Sequence, residues 1–234
     1  MTLSSRRSAS PAPSAPADVS SSRLVVRGIV RGLEAGRFAP GQRLVEADLC
    51  VRFGVGRSSV REALQRLASQ GVVELHRNRG ATIRELTLRQ ALDTLVVTEV
   101  LAGLAARCAA QRIKAPGAEA VLRNACAQLA SAAAADDVSV FMKARDGFFA
   151  ALMKLSQNEE LQRLGRGVQV HLMRGQFHIA QLQRRRSDAY DAIGAAVLAG
   201  DAERAESIAR AHVRDIRAAL ERDPEGRELD HGGI

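Results

Sequence analysis

Tryptophan is absent from the 234 residues, tyrosine occurs once, as Tyr190, and aromatics make up only 3% of the chain. Such scarcity argues against a β-sandwich or barrel, which draws on aromatic and β-branched residues. It also argues against a nucleic-acid binder that works by stacking bases on rings. Cysteine is almost as sparse. Cys50, Cys108 and Cys126 stand singly, with no C-x-x-C pair. A disulfide framework is not expected, and a reduced, cytosolic setting is. No uncharged apolar run reaches the roughly 18 residues of a membrane span. There is no G-x-S-x-G, H-E-x-x-H, P-loop or dinucleotide glycine fingerprint, so an enzyme is not expected.

Lysine is rare too, confined to Lys114, Lys143 and Lys154, so the basic charge is nearly all arginine. Lys and Arg total 34 against 26 acids, a net charge of +8. Up to Leu86 there are fourteen Arg and seven acids; beyond it twenty basic residues face nineteen acidic ones. The positive field therefore belongs to the first third, which points to a polyanionic partner, nucleic acid or an anionic membrane surface. With 46% hydrophobic residues, the chain can still build a packed core.

Residues 1–21, rich in Ser, Ala and Pro and without an apolar core segment, are expected to be a disordered tail. A first module spans 22–85. Val25, Ile29 and Leu33 recur every fourth residue, the spacing of one helix face, with Val26 and Val30 beside them. Gly36 and Pro40-Gly41 break the chain. A short helix near Glu46–Arg52 is expected to turn Val45 and Leu49 inward. After Phe53-Gly54-Val55-Gly56, a third helix runs from about Arg57 to Gln70, with Val60, Leu64 and Leu67 inside. Ser58 and Ser59 are both candidate caps. Val73/Leu75 and Ala81/Ile83 alternate around Arg77-Asn78-Arg79-Gly80, the pattern of a β-hairpin. Helix, helix, turn, helix, hairpin is the order of a winged helix-turn-helix.

The third helix carries the functional argument. With Val60, Leu64 and Leu67 inside, Arg57, Arg61 and Gln65 share the outward face, four residues apart. Such a face enters the major groove, where Arg can fork onto guanine O6 and N7. Ser58 and Ser59 at the helix start suit a phosphate. Arg77 and Arg79 at the hairpin tip reach toward a flanking backbone or minor groove, and Gly80 permits a close approach. The alternative is an ordinary solvated basic face, with Glu62 pairing Arg61 or Arg66.

In this register, Pro40-Gly41-Gln42-Arg43-Leu44, Glu46-Ala47-Asp48-Leu49 and Phe53 through Leu67 resemble the GntR family of bacterial repressors. The resemblance implies operator contacts from Arg57, Arg61 and the wing around Arg79 and Gly80. Ala47 stands where many members carry a DNA-contacting Arg.

Beyond Thr87 the pattern is helical throughout, in about six helices separated by Lys114–Gly117, Asp136-Asp137, Ser156–Asn158, Arg184–Ser187 and Gly200-Asp201. Glu99 with Ala105-Ala106 and Ala109-Ala110, Asp146–Phe149, Ser156–Asn158, Ala199–Glu203 and His212 resemble the FCD domain of the FadR subgroup. The expected fold class is thus mostly α: an N-terminal winged helix-turn-helix plus an all-α, six-helix effector and dimerisation domain over 86–222, then a flexible tail, 223–234.

That resemblance implies a homodimer and a small-molecule effector, often a carboxylic acid held through a divalent metal on one Asp and three His. The corresponding positions here are Asp146, Ala150, Tyr190 and His212, so two of the four donors are missing. An Arg that often binds carboxylates aligns with Leu95. The metal site is therefore expected to be degenerate, with no cofactor. Asp146, Phe149, Arg174, Tyr190 and His212 then form either a metal-free pocket for a carboxylic acid or apolar metabolite, or a plugged core. His171, Arg174 and His178 share one helical stripe, either ligand contacts or a polar edge. Phe141, Phe148, Phe149 and Phe177 are expected in the core. The function expected is a sequence-specific, effector-controlled transcription regulator, a repressor of bacterial cytoplasm that binds double-stranded operator DNA and no membrane. The alternative is an architectural DNA-binding protein with a ligand-free dimer domain.

Overall fold

A computed structural model describes residues 16–34, 36–76, 80–135, 137–167, 176–177 and 187–224. Helix α1 runs over Pro16–Glu34 and buries Val25, Ile29 and Leu33, the three periodic residues. It starts inside the stretch expected to be a tail. Its two glycines are spaced four apart for a steric reason. A Cβ at Gly28 would strike the Phe53 ring, and one at Gly32 the Phe38 ring. The helix gives up propensity there so that two aromatic rings can lie against its backbone.

Strand β1 (Arg43–Leu44) leads into α2 (Glu46–Phe53), and α3 follows over Arg57–Ser69. Gly54, in the left-handed conformation with φ 64°, turns the chain between them. Val60, Leu64 and Leu67 are buried as the periodicity predicts. Val45 is not: it precedes α2 and is 43% exposed, while Leu49 faces the core. Nor do the serines cap α3. The helix begins at Arg57 after an extended Gly56, with no capping side chain, which leaves Ser58 and Ser59 inside its first turn.

Strands β2 (Val73–His76) and β3 (Gly80–Ile83) pair antiparallel, with Val73 opposite Ile83 and His76 opposite Gly80. β1 adds on the other side of β3, giving the order β1-β3-β2. Two residues long, β1 falls below any alternation a sequence can display. Gly80 is fixed twice over: its φ is 81°, and a Cβ there would lie 2.6 Å from the Leu44 carbonyl oxygen. Its freedom thus serves the contact of β3 with β1.

Six helices follow among the described residues: α4 (Leu88–Gln111), α5 (Ala118–Ala134), α6 (Val138–Leu155), α7 (Glu159–Gly167), α8 (Asp188–Leu198) and α9 (Ala202–Arg222). Their starts are specified locally. Thr87 and Gln90 form a reciprocal capping box at α4. Asp137 accepts from the Ser139 and Val140 amides at α6, and Asp201 from the Arg204 amide at α9.

The buried side chains form two clusters. One fills the helical domain between α5, α6, α8 and the adjoining halves of α4 and α9. The other starts in the winged module and runs on through Leu86, Ala91, Leu95, Phe177, Val213, Ile216 and Leu220. The two modules therefore share a core rather than hanging on a free linker. Among the described residues no helix is long and apolar enough to cross a membrane.

Candidate nucleic-acid interface and effector pocket

Helix α3 presents the expected face. Arg57, Arg61 and Gln65 are exposed on the side opposite Val60, Leu64 and Leu67. Arg61 is not idle there: its Nε donates to both Glu46 carboxylate oxygens, at 3.0 and 3.2 Å. Glu62 pairs with Arg66 at 2.6 Å, one helical turn along. Nearby, the Arg52 guanidinium lies 4.4 Å from the Phe38 ring centroid and ties the end of α2 to the loop after α1.

The two serines separate. Ser58 is exposed, whereas Ser59 is 3% exposed. Ser59 lies beside the inner face of α3, so its hydroxyl is turned away from an outside phosphate. Arg77 and Arg79 lie outside the described residues.

In the helical domain α6, α8 and α9 bring Phe149, Tyr190 and His212 together. Tyr190 is 1% exposed, and its ring lies 4.6 Å from that of His212, 5.9 Å from Phe148, 5.9 Å from Phe149 and 6.1 Å from Phe141, all edge-on. Edge-to-face rings at such distances pack favourably. Arg145 lies with its guanidinium 4.3 Å from the Phe149 centroid and pairs with Asp146 at 3.0 Å. Arg174, His171 and His178 lie outside the described residues; Phe177 is buried, as expected.

Tyr190 Oη and Arg145 Nε are both buried here without a well-formed hydrogen bond, although the Arg145 side chain lies close enough to the phenol to act on it. Leaving such groups unmet has a real free-energy cost. Burial pushes the Tyr190 phenol above its ordinary value, with nearby Arg145 pulling the other way. A protonated, buried phenol is a poor metal ligand, and Ala150 has no donor at all. Asp146 and His212 remain, and a divalent ion needs more. The divalent metal that the resemblance implies does not fit this donor set.

One arrangement has little local signal. Glu99, on α4 and 9% exposed in its side chain, receives Arg214 at 2.8 Å, Arg210 at 3.2 Å and Arg217 at 3.8 Å, all from α9. Gly103 makes the space: a Cβ there would lie 2.5 Å from Arg210 Cγ. Arginines at 210, 214 and 217 on one helix face were visible in sequence; their common partner more than a hundred residues away was not.

Residues 22–83 match the family of bacterial regulatory proteins called gntR, and residues 93–215, over half the chain, match the FCD domain. The chain belongs to the GntR family. It is 31% identical over 205 residues to Rv0494, an HTH-type transcriptional regulator of Mycobacterium tuberculosis, covering 76% of this chain and 80% of that one. It is 28% identical over 137 residues to RspR, an HTH-type transcriptional repressor of Escherichia coli, covering 58% of this chain and 55% of that one. Its fold is that of E. coli McbR/YncC, with a TM-score of 0.74 at 21% identity over 86% of this chain and 97% of that one. A GntR-type winged helix-turn-helix and an all-helical FCD domain make this a DNA-binding transcription regulator by family.

Proposed function

We propose that this GntR regulator is a homodimeric repressor that reads a pseudo-palindromic operator and is controlled by a small molecule held without metal beside Tyr190. The observation that carries the DNA part is the outward face of α3, where Arg57, Arg61 and Gln65 stand exposed above a fully buried inner face. The N-terminal part of such a helix meets base edges, and arginine forks there select guanine. Two copies supply two half-sites. On α4, Val97 and Val100 are 51% and 50% exposed beside half-buried Leu101 and Leu104, an apolar stripe suited to a second copy.

The ligand part rests on the Tyr190 cluster. Its rings suit an apolar body, and Tyr190 Oη and Arg145 Nε suit one hydrogen-bond acceptor, so a small carboxylic acid fits both. Control requires that the ligand bind the DNA-bound and free conformations with different affinity. Arg57→Ala and Arg61→Ala are expected to lower discrimination between the preferred duplex and a single-base variant by about 1–3 kcal/mol each. Footprinting on DNA upstream of the protein's own gene tests this; variants with unchanged footprints would refute the assignment.

A further inference from the structure

We infer that Glu46 is a positioning residue for base reading by Arg61, an inference that rests on the DNA-reading role of α3 proposed above. The two side chains meet across the helix-turn-helix, fifteen residues apart in sequence. The carboxylate is the better anchored partner: the Glu46 side chain is 29% exposed and that of Arg61 65%. Glu46 opens α2, where the helix dipole favours a carboxylate. Two residues earlier Leu44 is buried and paired to Ala81 of the wing sheet. The acid is thus held from both sides.

The way Arg61 is held matters more than the fact of the pair. Only Nε donates to Glu46, and among the described residues Nη1 and Nη2 make no bond. A guanidinium gripped at Nε keeps its far, end-on fork for an outside acceptor pair, the geometry of guanine O6 and N7. It also loses rotamer freedom before it reaches the groove, which lowers the cost of ordering it on DNA.

Charge supplies the discriminating sign. A carboxylate on a DNA-facing surface repels phosphate. Were Glu46 only one more surface charge, Glu46→Ala would strengthen binding to every duplex alike. A positioning role predicts opposite shifts: tighter binding to unrelated DNA, weaker reading of one base pair.

The experiment selects preferred duplexes from a randomised pool with the full-length protein. It then measures affinity for the selected duplex, for single-base variants and for unrelated duplex. Arg61→Ala identifies the base pair that Arg61 reads. Glu46→Ala is expected to lose roughly tenfold of the preference at that base pair while binding unrelated DNA severalfold more tightly. Glu46→Gln, which keeps an acceptor for Nε, is expected to retain the preference and share the tighter non-specific binding. If both affinities of Glu46→Ala rise together with preference intact, Glu46 is a bystander and the inference fails. If both fall together in Glu46→Ala and Glu46→Gln, the acid supports the fold rather than the arginine, and the inference fails too. A wild-type protein that enriches no sequence would overturn the DNA-reading proposal itself.

Discussion

The side-chain amide of Gln176 grips the backbone of Leu86 at both its polar groups. Gln176 Oε1 accepts from the Leu86 amide at 2.9 Å, and Nε2 donates to the Leu86 carbonyl at 2.6 Å. Leu86 lies between the last wing strand and α4, and is itself 3% exposed. The chain between the DNA-reading module and the helical domain is therefore held by a residue of the helical domain. Phe177, next in sequence, joins the same shared core. Gln176 and Phe177 thus tie the helical domain to the junction below the wing through two bonds and a ring.

Gln176→Ala removes both bonds and leaves two backbone groups of a buried residue unmet. The loss is worth about 1–3 kcal/mol of local stability, so amide exchange at Leu86 is expected to quicken by roughly tenfold or more. Hydrogen exchange followed residue by residue checks this. Unchanged protection at Leu86 would show that the shared core alone holds the junction.

Gly80→Ala is expected to destabilise the free protein by about 1–3 kcal/mol, because it forces a side chain into a left-handed backbone and against the Leu44 carbonyl. Thermal unfolding without DNA is the measurement. A wild-type melting temperature would return Gly80 to a role in DNA approach only.

How much of this was written in the sequence follows the range of each interaction. Val25, Ile29 and Leu33, or Val60, Leu64 and Leu67, announce their helices because their spacing is local. The hairpin is legible from alternation around an Asn/Gly turn. Val45 misled because it sits just before α2, where helical spacing does not apply. Ser59 misled because it lies within the first turn of α3 and not before it, which rotates it toward the core. The outward face of α3 was visible; the carboxylate of Glu46 holding it was not, since no periodicity links α2 to α3. Glu99 with its three arginines and Gln176 with Leu86 join residues about a hundred positions apart, and only the fold brings them together.

Tyr190 lends itself to a pH test. Its phenol titrates above its ordinary value in the folded state because of burial. The folded protein therefore keeps a proton that the unfolded chain loses above about pH 10, and stability falls as pH rises through that value. Tyr190→Phe is expected to flatten this fall, and near neutral pH to change stability by no more than about 1 kcal/mol, since the hydroxyl it removes makes no well-formed hydrogen bond beyond its interaction with the Arg145 side chain. Urea unfolding at several pH values decides it. A loss of several kcal/mol at pH 7 would mean that the hydroxyl has a structural partner.

Val100→Asp puts a charge into the exposed apolar stripe of α4. Sedimentation is expected to show a monomer at concentrations where the wild type is dimeric. Operator affinity is expected to drop by about tenfold or more, because a second half-site no longer adds to the first. A dimer of wild-type strength would place the interface on another face.

Sequence reading by α3 is open to a plain binding titration. Wild-type protein is titrated against the duplex upstream of its own gene and against a scrambled duplex of equal length and composition, at about 150 mM salt where phosphate contacts alone hold weakly. Binding to the first is expected to be tighter by about a thousandfold or more. Equal Kd values for the two duplexes would contradict it.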